Sequence, residues 1–365
     1  MNLQLITTIS EFSNLKDGWS KLLNNCEDNQ VFFTWEWINT YIVKLLSDEE
    51  KLFIILLKDR GRYIAIAPLK IKNTIVFYSK EKLLTNLTDM TTDYNSIIID
   101  KSYNYKKIIE KIVDTLKENS DKWDIMRLQN INEKSYLIQN LYEVLMKKEL
   151  SSVSIYTNTV CPYLKYTDLD VKSNKKQIND ISRRKRKIEN DSNIDMYINE
   201  EFNEEVFNKL IEFKNDKYSQ GVLNNSKIVD FYKEISKKMP ENIHFSYMRA
   251  DDKIVAVHFG FKDKNKIYYY MPSFDPEYGN KGVGMILLKE IIDSEQGNVK
   301  IFDFLRGNEP YKFIWTDRMT YNYDIWAVSS MNSNFLAKLY VNLFVLFKTV
   351  PFFRNLHKKI KKTDK

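Results

Sequence analysis

Between Tyr268 and Lys312 the chain runs strand, turn, glycine loop, helix, strand, an order that constrains the fold more than any other stretch. Tyr268-Tyr269-Tyr270-Met271 is strand-like, and Ser273-Phe274-Asp275-Pro276 reads as a turn. Gly279-Asn280-Lys281-Gly282-Val283-Gly284 follows and leads into a helical pattern over 285–294. Ile301-Phe302-Asp303-Phe304-Leu305 is a second apolar strand, running into Arg306-Gly307-Asn308-Glu309-Pro310-Tyr311-Lys312. A glycine-rich turn between strand and helix leaves N–H groups pointing outward at the positive end of the helix dipole, where a phosphate or pyrophosphate can sit. The loop lacks the Gly-Lys-Ser/Thr of a P-loop. No acidic residue ends a second strand at the distance a dinucleotide-binding βαβ unit requires.

The rest of the chain has the grammar of two similar halves. In the first, helices are predicted over 12–24, with Ser13 as N-cap, and over 35–46. Strands at 52–57 and 63–71 flank Asp59-Arg60-Gly61-Arg62, a hairpin turn. Further strands are predicted at 75–78, 96–99 and 124–128, and helices at 105–119 and 136–148. The second half predicts helices at 174–190, 203–218 and 228–239, then a meander of strands at 244–249, 254–262 and 267–271. Each half thus runs helices, antiparallel hairpin, strand, helix, strand. A seam is expected around 157–173, where Pro162 and polar residues interrupt the pattern.

With 365 residues, 43% of them hydrophobic and 14% aromatic, the chain can fill two cores. Cys26 and Cys161 lack metal-type spacing and fit two free thiols in a reducing cytoplasm. His244, His258 and His357 are the only histidines, which excludes a His-rich zinc site, and no metal is expected. There is no signal-peptide pattern and no uncharged run long enough to span a bilayer, so a cytoplasmic location is expected. A net charge of +7 suits anionic small molecules at least as well as nucleic acid.

The glycine loop and the strand after it resemble the acyl-CoA-binding half of the GNAT acyltransferases. In that family a loop of the form Arg/Gln-x-x-Gly-x-Gly/Ala holds the coenzyme A pyrophosphate. Gly282 and Gly284 match it, and Gly279 stands where Arg or Gln is usual. Phe302 to Lys312 resembles, more specifically, the two-domain branch that includes the CelD-like proteins and is related to the FemX peptidoglycan transferases. Residues 32–37, Ala67-Pro68-Leu69, Thr92-Asp93-Tyr94, 183–187 and 254–261 extend the resemblance over most of the chain.

The resemblance implies an α/β (α+β) fold of two tandem GNAT-like domains, each a mixed, largely antiparallel sheet flanked by helices. Residues 1–160 would form the acceptor side, 161–330 the acyl-CoA side, and 331–365 a C-terminal helix and basic tail. It implies an N-acyltransferase moving an acyl group from acyl-CoA to the amino group of a nucleotide-linked amino sugar. The expected acceptor is dTDP-4-amino-4,6-dideoxyglucose of the anthrose pathway, serving surface polysaccharide or glycoprotein sugar synthesis, with no nucleic-acid partner. Two other readings stay open. One is a FemX-like transferase using aminoacyl-tRNA, which needs a broad basic surface for RNA. The other is a non-catalytic membrane-surface protein of polysaccharide assembly.

Acyl transfer to an amine requires that donor and acceptor be held, that the amine be neutral, and that the oxyanion be stabilised. The resemblance assigns coenzyme A contacts to Gly279, Lys281, Gly282, Val283, Gly284 and Met285 in the loop. Met271 and Ser273 would lie beside the pantetheine arm, with Asn308 and Lys312 further on. Backbone N–H groups of the Tyr268 strand are natural oxyanion donors, provided that strand is splayed. Asp303, on an apolar strand, is either a base or a structural carboxylate. Glu309 is a second candidate base, and Tyr311 a candidate acid for the leaving thiolate. Asp93 would orient the acceptor's ammonium, or belong to a plain turn; the departing thiolate could itself take the proton. Tyr94, Trp37, Arg183, Arg186, His258 and Arg306 complete the substrate-side candidates. Arg183-Arg184-Lys185-Arg186-Lys187 fits a solvated helix face or a diphosphate grip. His258, mid-strand, fits a core histidine or an inward-facing base.

At the C-terminus, Leu336, Leu339, Tyr340, Leu343, Phe344 and Phe347 form an apolar helical stripe, with Lys358, Lys359, Lys361 and Lys362 after it. This fits a helix packed back onto the N-terminal half with a solvated basic tail. A weak membrane-surface contact through 335–362 is the other reading.

Overall fold

The computed structural model describes residues 1–148, 150–169, 173–217, 221–329 and 335–349. It divides into two units: Met1–Ile42, Leu46–Thr159 and Tyr321–Lys365 form the first, Val43–Leu45 and Val160–Thr320 the second.

The first unit opens with β1 (Asn2–Ile6), α1 (Ile9–Ser13), α2 (Lys16–Asn24) and α3 (Trp35–Lys44). The single helix predicted over 12–24 is in fact two. Thr8, not Ser13, caps the first, in a reciprocal pair with Glu11. Ser13 instead donates its hydroxyl back to the Ile9 carbonyl, a local bond that competes with helix continuation. β2 (Lys51–Asp59) and β3 (Arg62–Val76) pair across Arg60 and Gly61, whose φ angles of 48° and 79° make the expected mirror-image hairpin turn. β3 runs on through the predicted 75–78 strand and reverses at Phe77 and Tyr78 into β4 (Ser79–Asn86). Then follow β5 (Ile98–Ile99), α4 (Tyr105–Glu118), β6 (Ile125–Asn132), α5 (Tyr136–Lys147) and β7 (Ser151–Lys165).

The second unit takes the later half of β7 and adds α6 (Lys175–Asp191), β8 (Ile194–Glu200), α7 (Glu204–Lys217) and α8 (Ser226–Lys238). β9 (Ile243–Ala250), β10 (Lys253–Lys262) and β11 (Lys266–Phe274) form the meander, and α9 (Val283–Ser294) and β12 (Ile301–Asp303) follow the glycine loop. The chain then returns to the first unit through β13 (Met319–Val328) and α10 (Phe335–Thr349).

The first unit's sheet has the order β1-β2-β3-β4-β6-β13-β7, and the second's runs β7-β12-β11-β10-β9-β8. Each contains a parallel pair, β4 with β6 and β11 with β12, among antiparallel neighbours. This is the mixed, largely antiparallel sheet flanked by helices expected of each half. β1, β4, β7, β8 and β13 escaped the sequence reading, since strand pairing depends on distant partners rather than local periodicity.

In the first unit Ile108, Ile112 and Val113 of α4 and Leu141 and Val144 of α5 bury against β2, β3 and β6. In the second, Ile286, Leu287 and Ile291 of α9 bury with Ile181 and Ile188 of α6 and Tyr269 of β11. Each such side chain is worth about 1.5–3 kcal/mol on burial. Lys185 reaches Glu290 at 2.9 Å, so α6 is also tied to α9 by charge. α10 packs on its own unit through Ala337, Tyr340, Val341 and Phe344 against Val76, Tyr156 and Trp326. No helix among the described residues is long and apolar enough to cross a membrane. The predicted basic tail at 358–362 lies outside the described residues.

Candidate acyl-transfer site

In the second unit β11 and β12 pair in parallel at Lys266↔Ile301, Ile267↔Phe302 and Tyr268↔Asp303, and there the ladder stops. β11 continues to Phe274 along β10, while the other strand leaves it, Phe304 donating to the Pro162 carbonyl and Gly307 to that of Val160. The splay that oxyanion chemistry requires therefore begins immediately after Tyr268. Opposite it the β10 register shifts between Phe259 and Phe261. A Cβ on Gly260 would lie 2.5 Å from the Tyr268 carbonyl oxygen, so only glycine fits this irregularity. Met271 and Ser273 lie on the opened stretch, and Pro272 between them brings no N–H.

The glycine loop is a 3₁₀ turn, Pro276–Lys281, ending at Gly282, whose φ of 75° favours glycine. Gly282 caps α9, and its carbonyl accepts from Met285 and Ile286. The Val283 and Gly284 amides fall in the first helical turn, where no intrahelical acceptor exists. A Cβ on Gly284 would stand 2.9 Å from the Phe274 ring, so glycine lets strand and helix approach closely. The buried Val283 side chain belongs to the core, leaving its backbone as the available contact.

Beside this loop lies a cavity of about 400 Å³ lined by Arg183, Arg184, Lys187, Ile188, Asp191, Asn280 and Lys281. Three cations of the α6 basic run thus stand at the glycine loop. Arg183 and Arg184 share Asp180 at 2.6 and 2.8 Å, which orders both guanidinium groups without burying them. Arg186 is exposed and does not line the cavity.

Past the splay, Asp303 accepts from the Leu305 amide at 2.9 Å and faces Lys266 at 3.7 Å. Leu305 has φ 59° and Gly307 φ 123°, so the carboxylate holds a bent loop in place. Lys312, only 3% exposed, donates to the Arg306 carbonyl at 2.7 Å and meets Glu309 at 2.9 Å. That carboxylate lies over Gly307, where a Cβ would come within 2.2 Å of it. Glu309 and Asn308 are exposed, Arg306 and Tyr311 half-buried, and Tyr311 packs at the edge of the core.

His258 is fully buried, stacked on Tyr269 at 4.4 Å, with neither ring nitrogen hydrogen-bonded among the described residues. Burial, aided by nearby His244, pushes its pKa well below the usual imidazole value and keeps it neutral. Burial likewise pushes the Tyr269 phenol up, with Tyr311 adding to it.

In the first unit Asp93 is half-buried in the loop after β4, and Asn322 donates to its carbonyl at 2.9 Å. Trp37 is fully buried and donates to Thr92 Oγ1 at 3.1 Å; Tyr94 packs edge-on to Phe32. Both rings support the loop from behind. Sequence reasoning missed Lys70, which is fully buried. Its ammonium contacts Glu50 at 2.8 Å, Tyr41 Oη at 2.8 Å and Asp89 at 3.3 Å. Burial alone would raise the Asp89 carboxyl, but Lys70, Tyr41 and Lys72 outweigh it and hold it at about 2. A lysine inside the apolar run Ala67-Pro68-Leu69-Lys70-Ile71 was the one available signal.

Residues 175–313 match the model of the GNAT acetyltransferase domain. No curated protein matches the chain. Among solved structures, FemX superposes with a TM-score of 0.60 at 8% identity, over 91% of this chain and 98% of its own. L-PGS from Bacillus licheniformis gives 0.52 at 8% identity, over 89% and 95%. The tandem GNAT protein from the clavulanic acid biosynthesis pathway gives 0.51 at 7% identity, over 89% and 98%. At such identities the likeness is one of fold. The fold is that of tandem GNAT proteins.

Proposed function

We propose that the protein is a cytoplasmic, acyl-CoA-dependent N-acyltransferase acting on the amino group of a nucleotide-linked amino sugar. The first acceptor to try is dTDP-4-amino-4,6-dideoxyglucose, an anthrose precursor, for surface-sugar synthesis. The carrying observation is the parting of β11 from β12 after Tyr268, beside a glycine loop with a cation-lined cavity. Acyl-CoA brings an activated thioester carbonyl and a leaving thiolate. The opened edge of β11 is suited to align an extended pantetheine arm by main-chain bonds. The first turn of α9 with Arg184, Lys187 and Lys281 neutralises phosphate charge. Within the second unit this reading gives Glu309 the amine proton and Tyr311 the proton for the leaving thiolate, the roles that the resemblance implies. Asp303 is a loop-holding residue in this scheme.

A FemX-like, aminoacyl-tRNA-dependent transfer is the second reading, supported by the superposition on FemX. Thermal stabilisation and calorimetry with acetyl-CoA, free CoA, dTDP, UDP and tRNA separate the two. Binding of CoA together with one nucleotide diphosphate supports the sugar-nucleotide reading. Absence of any CoA response at saturation, with tRNA bound, would replace it by the second.

A further inference from the structure

β11 carries three tyrosines in a row, and two of them leave opposite sides of the sheet where the ladder with β12 ends. Tyr269 faces α9: its ring stacks on His258 at 4.4 Å and meets Phe302 at 5.6 Å and Phe304 at 6.2 Å. Tyr270 faces α8, where its hydroxyl lies 2.7 Å from that of Tyr232. Tyr269 is only 4% exposed, whereas Tyr270 is half-buried, so Tyr270 is the ring that borders the opened edge.

The space behind Tyr270 is filled. Tyr232, Phe207, Phe259 and Phe261 are all buried, and with Tyr270 these rings meet at centroid distances of 5.1 to 5.8 Å. A core packed in this way has no void into which a ring can swing. The hydroxyl pair adds a directional bond that fixes the tilt of the Tyr270 ring from α8. The β11 register shift opposite Gly260 sets where that ring emerges, immediately beyond the last β11–β12 pair, Tyr268↔Asp303.

The two ends of this stretch fix the direction of a bound donor. With the coenzyme A phosphates at the glycine loop after Phe274, the pantetheine arm runs back along β11. The thioester then reaches the end where the ladder stops, beside Tyr270. In an open apolar site each methylene added to the acyl group would tighten binding about fourfold. Against a tethered ring in a packed core the same methylene must displace protein atoms, and binding weakens. We propose that Tyr270, tethered by Tyr232, sets the length of the acyl group and restricts the donor to acyl-CoAs of acetyl or propionyl size. This rests on the acyl-CoA reading.

Calorimetric titration of the full-length protein with CoA, acetyl-CoA, butyryl-CoA and hexanoyl-CoA is the test. Hexanoyl-CoA is expected to bind about tenfold or more weakly than acetyl-CoA, with butyryl-CoA between. Tyr270→Ala should abolish or reverse that ratio. Tyr270→Phe, which keeps the ring, should retain most of it, and Tyr232→Phe, which cuts the tether, should fall between the two. Circular dichroism checks that each variant folds; should Tyr270→Ala not fold, Tyr270→Leu carries the same comparison. The ratio is the readout, because a residue that merely supports the fold changes both affinities together. No CoA binding at all removes the acyl-CoA reading and the length limit with it. CoA binding with hexanoyl-CoA as tight as acetyl-CoA leaves that reading standing and overturns the length limit alone. An unchanged ratio in Tyr270→Ala also overturns it, and an unchanged ratio in Tyr232→Phe overturns the tether.

Discussion

A Cβ placed on Gly282 would stand 3.4 Å from Cδ of Arg184 and 3.5 Å from its Nη1. The glycine loop lacks a side-chain cation of its own at Gly279, and α6 brings a guanidinium to the same wall. Arg184→Gln is expected to weaken CoA binding about tenfold, the worth of one exposed charge-assisted contact. Its bond to Asp180 is half-exposed, so stability should fall by less than about 1 kcal/mol. Arg186→Gln, off the cavity, should leave affinity unchanged. Calorimetric titration with CoA decides; equal effects of the two variants would remove α6 from the site.

Asp303 gives a second expectation. It holds the Leu305 amide in a positive-φ loop. Asp303→Ala should cost about 1–3 kcal/mol by leaving that amide unpaired, and Asp303→Asn, which keeps an acceptor oxygen, less. Urea unfolding measures both. If Asp303→Asn keeps its stability yet loses catalysis by orders of magnitude, the carboxylate is the base and the loop-holding role is insufficient.

Lys70→Met should be among the most damaging substitutions in the first unit. It leaves Glu50 and Asp89 without their buried cation, a loss of roughly 3–5 kcal/mol by analogy with broken buried pairs. There is also a pH signature. Asp89, held at about 2 against an ordinary value of 3.8, contributes stability above the unfolded value and loses it as pH falls through the folded one. Acid titration of the wild type below pH 4 should therefore show a limb that Lys70→Met flattens.

His258 acts in the opposite window. Its folded pKa is depressed well below 6.5, so the unfolded chain binds a proton first as the pH drops. Stability should be level above about 6.5 and fall below it, by up to roughly 1.4 kcal/mol per pH unit for this one group. His244 faces it from β9 and Tyr269 from β11; Glu295, bonded to His244 at 3.2 Å, has its carboxyl lowered mainly by that bond and titrates below this window. Thermal unfolding of wild type and His258→Leu from pH 8 to 5.5 checks it. Parallel curves would show that another group carries the slope.

The order of β11, glycine loop, α9 and β12 is legible in the chain because each step is local. Apolar periodicity marks the helix, glycine marks the φ of 75° at Gly282, and Arg60-Gly61 marks its hairpin. The capping of α6 by Asn174 and of α4 by Asn104 is local in the same way. What tertiary structure alone decides is what distant segments do to one another. β8 and β13 exist because β9, β6 and β7 receive them. The ladder between β11 and β12 ends at Tyr268 because Phe304 and Gly307 find acceptors on β7. Lys70 is buried because Glu50, Tyr41 and Asp89 converge on it, and Arg184 reaches Gly282 because α6 lies along α9. Short-range sequence encodes conformation, whereas the charge and hydrogen-bond partners that make a site are chosen by packing across residues far apart in the chain.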